Sequence, residues 1–215
     1  HGIIGTHYSG GGILIYESTN LYSWEYKGVM FKRSLAEGGF YFETPNFANI
    51  GELDILMVSP NSPVIYWLGE FSNNNFESKT SAKRLDFGDC FYAPSIFKDN
   101  LQNRTLLSGW ITEAGENHKQ KNFGCIAIPK EISLIENLKL KIVPAHELKN
   151  LRSECIINKK IIIGSKKNYL KNFESNTFEI QLSFNGNNKG KINFNFCKNP
   201  KTDEKTTILI DFNNN

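Results

Sequence analysis

Glu43 stands in the segment Tyr41-Phe42-Glu43-Thr44-Pro45-Asn46-Phe47, a carboxylate set among aromatics close to a proline. Such surroundings hold water off a carboxyl group and favour its protonated form, which suits a general acid. The other reading of the same residues is a solvated strand end. No second carboxylate is offered by an Asp-Pro pair. Asp occurs at positions 54, 86, 89, 99, 203 and 211, and none precedes a proline. His1, His7, His118 and His146 show no metal-ligand spacing, and neither metal nor other cofactor is expected. Cys90, Cys125, Cys155 and Cys197 form no CxxC pair and read as ordinary buried thiols, with a disulfide left open. Asn103-Arg104-Thr105 is a glycosylation sequon, a triplet common by chance.

Short strands must position these residues. Ile13-Leu14-Ile15-Tyr16, Leu53 to Val58, Val64 to Leu68 and Leu106 to Ile111 are apolar runs rich in β-branched and aromatic residues. Gly10-Gly11-Gly12, Gly38-Gly39, Asn61-Ser62-Pro63 and Asn73-Asn74-Asn75 punctuate them. Strands recur about every 8–12 residues, the spacing of an all-β sandwich, barrel or propeller. Residues 131–154 change character and include a short helix expected after Pro144, as in a connector between two units. Beyond it, Phe178, Ile180, Leu182 and Phe184 alternate, as do Ile192, Phe194 and Phe196. Thr207 to Phe212 reads as a further strand, so this part is expected to be a sheet with one buried face.

Bulk properties narrow the function. Across 215 residues, 40% are hydrophobic and 22% charged, as in a globular protein with a sizeable core. The net charge of +3 comes from scattered lysines such as Lys159, Lys160, Lys166 and Lys167. No basic stripe suits a nucleic-acid backbone, and no apolar run of about 18 residues suits a membrane span. The abundant asparagines, Asn187-Asn188 among them, read as compositional bias.

Six segments, taken in order, resemble glycoside hydrolase family 32, the β-fructofuranosidases. Gly12-Ile13-Leu14-Ile15-Tyr16 with Trp24-Glu25-Tyr26 is similar to the family's strand-turn unit. Phe42-Glu43-Thr44-Pro45-Asn46-Phe47 resembles the segment that carries its acid/base Glu. Tyr66-Trp67-Leu68-Gly69, Leu85-Asp86-Phe87-Gly88-Asp89-Cys90-Phe91-Tyr92-Ala93-Pro94, Gly109-Trp110 and Ile128-Pro129-Lys130-Glu131 resemble the segments that follow. Two positions depart from the pattern: Thr44 replaces a Cys and Cys90 replaces an Asp.

The resemblance implies a five-bladed β-propeller followed by a β-sandwich. Residues 1–130 would supply about the last three blades, 131–154 a linker, and 155–215 the beginning of the sandwich. It implies retaining hydrolysis of terminal β-fructofuranosyl linkages in sucrose, sucrose phosphate or fructans, with Glu43 as acid/base. The family's nucleophile and a third carboxylate lie in Asp-Pro motifs upstream of His1, so the isolated chain is expected to be inactive. Asp86 is implied as a second carboxylate near Glu43, or else caps the turn at Gly88. Trp110 would floor the sugar pocket or simply pack, and Tyr92 would reach the same pocket or lie in the core. The expected partner is a small carbohydrate, with neither nucleic acid nor membrane. The alternatives are a non-catalytic carbohydrate-binding propeller, a related arabinoside-cleaving enzyme, and fructosyl transfer in place of hydrolysis. Cytoplasmic and secreted locations both stay open.

Overall fold

The computed structural model describes residues 1–7, 10–39, 41–61, 63–112, 124–136, 138–160, 162, 173–175, 177–183, 190–199, 201–202 and 204–213. Phe40, Ser62, His118, Lys166, Lys167, Phe184, Asn187 and Asn188 lie outside them. The chain divides into two compact units, His1–Asn150 and Leu151–Asn215.

The first unit is a succession of three antiparallel sheets. The first contains β1 (Gly2–His7), β2 (Gly11–Glu17) and β3 (Glu25–Lys32), paired in that order. The second contains β4 (Glu43–Asn49), β5 (Asp54–Ser59), β6 (Ile65–Ser72), β7 (Asn75–Ser78) and β8 (Lys83–Arg84). Here β7 pairs with the last residues of β6 and β8 with its first two, so together they make one interrupted outer strand. The β6–β7 turn is Asn73-Asn74, both left-handed (φ 50° and 61°), the conformation of a two-residue hairpin. The third sheet contains β9 (Phe91–Asp99), β10 (Arg104–Ile111), β11 (Cys125–Ile126), β12 (Lys130–Ile135) and β13 (Lys139–Pro144). Again two pieces, β11 and β12, share one flank of a neighbour, β10.

The middle sheet is buried on both faces. Ile55, Leu56, Met57 and Val58 are all 0% exposed. Successive strand residues face opposite ways, so Ile55 and Met57 join Leu85, Phe91, Leu107 and Ile132 in a core shared with the third sheet. Leu56, Val58 and Trp67 join Ile13, Ile15, Met30, Phe31 and Phe42 in a core shared with the first. That explains the unbroken apolar run at these positions. Each such side chain contributes about 1.5–3 kcal/mol by leaving water. Strand β4 packs against β1 on one side and β9 on the other.

The expected linker, 131–154, contains two strands and a helical turn. Strands β12 and β13 pair along six residues, Lys130↔Pro144 to Ile135↔Lys139, and the boundary between units falls after Asn150. The helix expected after Pro144 is a 3-10 helix, His146–Leu151. It is tied down by Arg104, which gives Nη1 to Glu131 at 2.7 Å, Nε to Asp99 at 2.9 Å and Nη2 to Glu147.

In the second unit, β14 (Lys191–Phe196) and β15 (Thr206–Asp211) form a hairpin, with Ile192, Phe194 and Phe196 half-buried on one face. Residues 177–183 are irregular, against the strand expected there. Alternation alone does not make a strand without a hydrogen-bonded neighbour. This segment is held by side chains instead: Arg152 makes two bonds to Glu179, and the Phe178 ring meets Phe196 edge-on at 6.3 Å.

Candidate active site

Two strands begin in the same way. In β4, Thr44 and Pro45 together face the single Val58, because Glu43 pairs with Ser59 and Asn46 with Met57. In β9, Ala93 and Pro94 face the single Gly109, because Tyr92 pairs with Trp110 and Ser95 with Ser108. Both are β-bulges, which bend a strand and re-aim the side chain beside them. In both, the first extra residue is left-handed, with φ 45° at Thr44 and 44° at Ala93. In both, the second is a proline, whose lack of an N–H costs nothing where the ladder is broken. Two residues before each pair, Phe42 or Phe91 is anchored in a core. An opposing glycine is needed at Gly109: a Cβ there would come within 2.5 Å of the Phe91 ring.

The residues thus aimed, Glu43 and Tyr92, meet. The Tyr92 hydroxyl donates to Glu43 Oε2 at 2.6 Å and accepts from the Asn61 N–H at 3.3 Å. The Ser59 carbonyl lies 3.1 Å from the same hydroxyl. With one proton to give, the phenol favours the carboxylate, the shorter and charge-assisted acceptor. Burial, then the bond to Glu43, pushes the Tyr92 phenol up to about 12. It therefore keeps its proton at neutral pH. Glu43 Oε1 has no partner among the described residues and is left open. The carboxylate is exposed, against the expected aromatic enclosure. Phe42 turns the opposite way, into the core, as strand alternation requires.

Buried polar groups hold the two bulges together. Ser59 is 0% exposed, and its Oγ bonds both to Thr44 Oγ1 (3.0 Å) and to the Ala93 N–H (3.1 Å). Asn46 bridges β4 to β9, giving its amide to the Pro94 carbonyl at 2.6 Å and accepting the Ile96 N–H at 3.0 Å. A side-chain amide thus serves backbone groups that face another sheet. Ser59, Asn46 and Asn61 did not stand out in the sequence. The signal that points to them is the recurrence of Phe-x-small-Pro at 42–45 and 91–94.

The remaining candidates fall in several places. Trp110 pairs directly with Tyr92, so both side chains leave the same face of the sheet, and Trp110 is 45% exposed. Asp86 Oδ1 accepts the Gly88 N–H at 2.6 Å, the turn cap weighed in the sequence. Its Oδ2 is buried without a hydrogen-bond partner, and no bond joins Asp86 to Glu43. The Cys90 carbonyl accepts from the Thr112 N–H at 2.7 Å at the end of the β9–β10 pair. Asp89 pairs with Arg84. The cysteines are all free, and Cys125, Cys155 and Cys197 are exposed, against the expected buried thiols. Glu131, His146 and Glu147 cluster closely enough to hold an ion, but the Arg104 guanidinium already occupies their centre.

Residues 2–144 match the family model described as "Glycosyl hydrolases family 32 N-terminal domain". The sucrose-6-phosphate hydrolase of Staphylococcus xylosus is 26% identical over 222 residues, covering 94% of this chain and 43% of that protein. The cell wall β-fructofuranosidase of Pisum sativum is 31% identical over 124 residues, 55% of this chain and 22% of that protein. The GH32 β-fructofuranosidase of Bombyx mori superimposes with a TM-score of 0.65 at 23% identity, covering 73% of this chain and 37% of that one. The chain therefore spans less than half the length of these relatives.

Proposed function

This chain belongs to glycosyl hydrolase family 32, and on that premise we propose that it supplies part of the catalytic unit of a β-fructosidase. The reaction is hydrolysis of terminal β-fructofuranosyl linkages in sucrose, sucrose phosphate or fructans. Relatives named sucrose-6-phosphate hydrolase, β-fructofuranosidase and levanase support this range, as does a Bombyx mori variant solved with sucrose. His1–Asn150 would contribute three blades of a five-bladed propeller, and Leu151–Asn215 the opening of a β-sandwich.

The observation that carries the proposal is the exposed Glu43 carboxylate, one oxygen held by Tyr92 and the other open. As acid, Glu43 would carry its proton on Oε1 and give it to the leaving oxygen. As base, it would take a proton from water at the same atom. Throughout, Tyr92 keeps donating to Oε2, which prevents the carboxyl group from turning away. A carboxylate from outside these residues, about 5–5.5 Å from the Glu43 carboxyl group as in retaining enzymes, would attack the anomeric carbon. Trp110 would offer its exposed face to the sugar.

A non-catalytic sugar-binding propeller is favoured by two departures from the family pattern, Thr44 in place of a Cys and Cys90 in place of an Asp. One experiment separates the two readings. The whole protein containing this chain is incubated with sucrose, inulin and levan, and products are resolved. Fructose release that drops about 10²–10⁴-fold in Glu43→Gln supports the enzyme, in the range of a lost general acid/base. Full activity in that variant overturns the role of Glu43. Binding without turnover by the unaltered protein favours the second reading.

A further inference from the structure

We propose that Ser59 is a positioning residue for Glu43, acting as one buried clasp that closes two bulges at once. The inference rests on the reading of Glu43 as acid/base, but its physical core does not. Glu43 and Tyr92 each precede a left-handed residue, Thr44 and Ala93. Left-handed backbone at a residue other than glycine is held only by surroundings that over-determine it. Here the surroundings converge on one atom. Ser59 Oγ bonds to the Thr44 side chain and to the Ala93 backbone, from a strand that belongs to only one of the two sheets. Its backbone takes part too, because the Ser59 carbonyl lies 3.1 Å from the Tyr92 hydroxyl and Ser59 pairs with Glu43 in the ladder.

The consequence is geometric coupling. The bulge at Thr44 fixes the direction of the Glu43 side chain, and the bulge at Ala93 fixes that of Tyr92. Both hang from the same hydroxyl, so the 2.6 Å contact between them is set at Ser59. Removing that hydroxyl leaves the Ala93 N–H and the Thr44 hydroxyl without their partner. Both bulges are then free to relax, and the two side chains separate.

The test uses the whole protein with Ser59→Ala, Thr44→Val and Thr44→Ser. Thr44→Val keeps the shape and removes the hydroxyl, and Thr44→Ser keeps the hydroxyl. Two readouts are taken on folded protein. One is kcat and KM for sucrose. The other needs no turnover: the Tyr92 phenol is titrated by NMR with ring-labelled tyrosine, its signal assigned with Tyr92→Phe. Positioning predicts a fall of about tenfold or more in kcat in Ser59→Ala and Thr44→Val, with KM changed less than about threefold. The Tyr92 phenol should titrate below its present value of about 12 in both. Thr44→Ser should restore both properties. Thr44→Val serves as the test should Ser59→Ala fail to fold. An unchanged Tyr92 titration together with unchanged kcat in the two disrupting variants overturns the proposal. Activity retained by Glu43→Gln would remove only the acid/base reading, and the Tyr92 titration would still decide whether the clasp exists.

Discussion

The Tyr92 phenol donates a hydrogen bond to Glu43 across 2.6 Å, although the two residues are 49 positions apart and lie near the starts of strands in different sheets. The pair brings an exposed carboxylate under the control of a partly buried donor. Hydrogen bonds to charged groups are worth about 1.5–3 kcal/mol, enough to fix an orientation without burying the acid itself.

Tyr92→Phe removes that donor and little else. In the whole protein its kcat for sucrose should fall about 10–100-fold, which corresponds to the loss of one charge-assisted bond. KM should change much less, because the bond orients a catalytic group and leaves substrate contacts in place. Steady-state kinetics on both proteins check this. Equal kcat values would mean that Glu43 holds its direction without the phenol.

The same hydroxyl makes an alkaline prediction. The phenol is raised from an ordinary 10 to about 12 in the folded protein. A group raised by folding stabilises fully below its unfolded value and loses that contribution as pH rises through the folded one. Stability should therefore decline between about pH 10 and pH 12, and less steeply in Tyr92→Phe. Chemical denaturation at several alkaline pH values measures the difference.

Gly109→Ala places a methyl group 2.5 Å from the Phe91 ring and 3.0 Å from the Tyr92 carbonyl. Neither neighbour is the loose end of a flexible chain. The bulge at Ala93 must shift, and the expected cost is about 1–3 kcal/mol of stability, as for other overpacked sites. Activity should drop further than stability alone explains, since Tyr92 moves with the bulge. Denaturant midpoints and kcat on the folded fraction separate the two effects.

Arg104→Met leaves Asp99, Glu131 and Glu147 crowded together without their cation. In the native protein the guanidinium holds Glu147 down to about 2 and lowers Asp99 too. Glu131 lies low first through the His146 N–H, then through the His146 ring, and after these through Arg104. A depressed carboxylate contributes stability above its unfolded value, and the contribution is lost as pH falls through the folded one. Native melting temperature should thus drop between about pH 4.5 and pH 2. In Arg104→Met it should be lower at neutral pH, and acidification should cost less, because protonation relieves the repulsion. Thermal scans across that range decide it.

Much of this was legible in the sequence, for reasons that differ from place to place. The runs at Ile13–Tyr16, Leu53–Val58, Val64–Leu68 and Leu106–Ile111 all lie in or at strands, and the middle two are unbroken because their strands are buried on both faces. The ordered motifs placed Glu43, Tyr92 and Trp110 in one neighbourhood, and the structure brings the first two into contact and the third beside them. The strands β12 and β13 were not read in the segment 131–154 because they mix lysines with apolar residues, as outer strands facing water do. The strand expected at 177–183 failed because a period of two describes side chains and says nothing about a backbone partner. Ser59 escaped notice because its bonds span 15 and 34 positions, a distance that no local pattern reports.

The two bulges have a further meaning for how such a site can change over time. At each, the group presented is one residue, and the parts that aim it are its neighbours: a buried phenylalanine before, a small residue and a proline after. The tip and its mount are separate. A carboxylate occupies one mount and a phenol the other, on backbones of the same local shape. A single codon can therefore exchange what is presented while leaving the mounting untouched. Two neighbouring sheets then act as a pair of like sockets, and the chemistry between them is set by what each one holds.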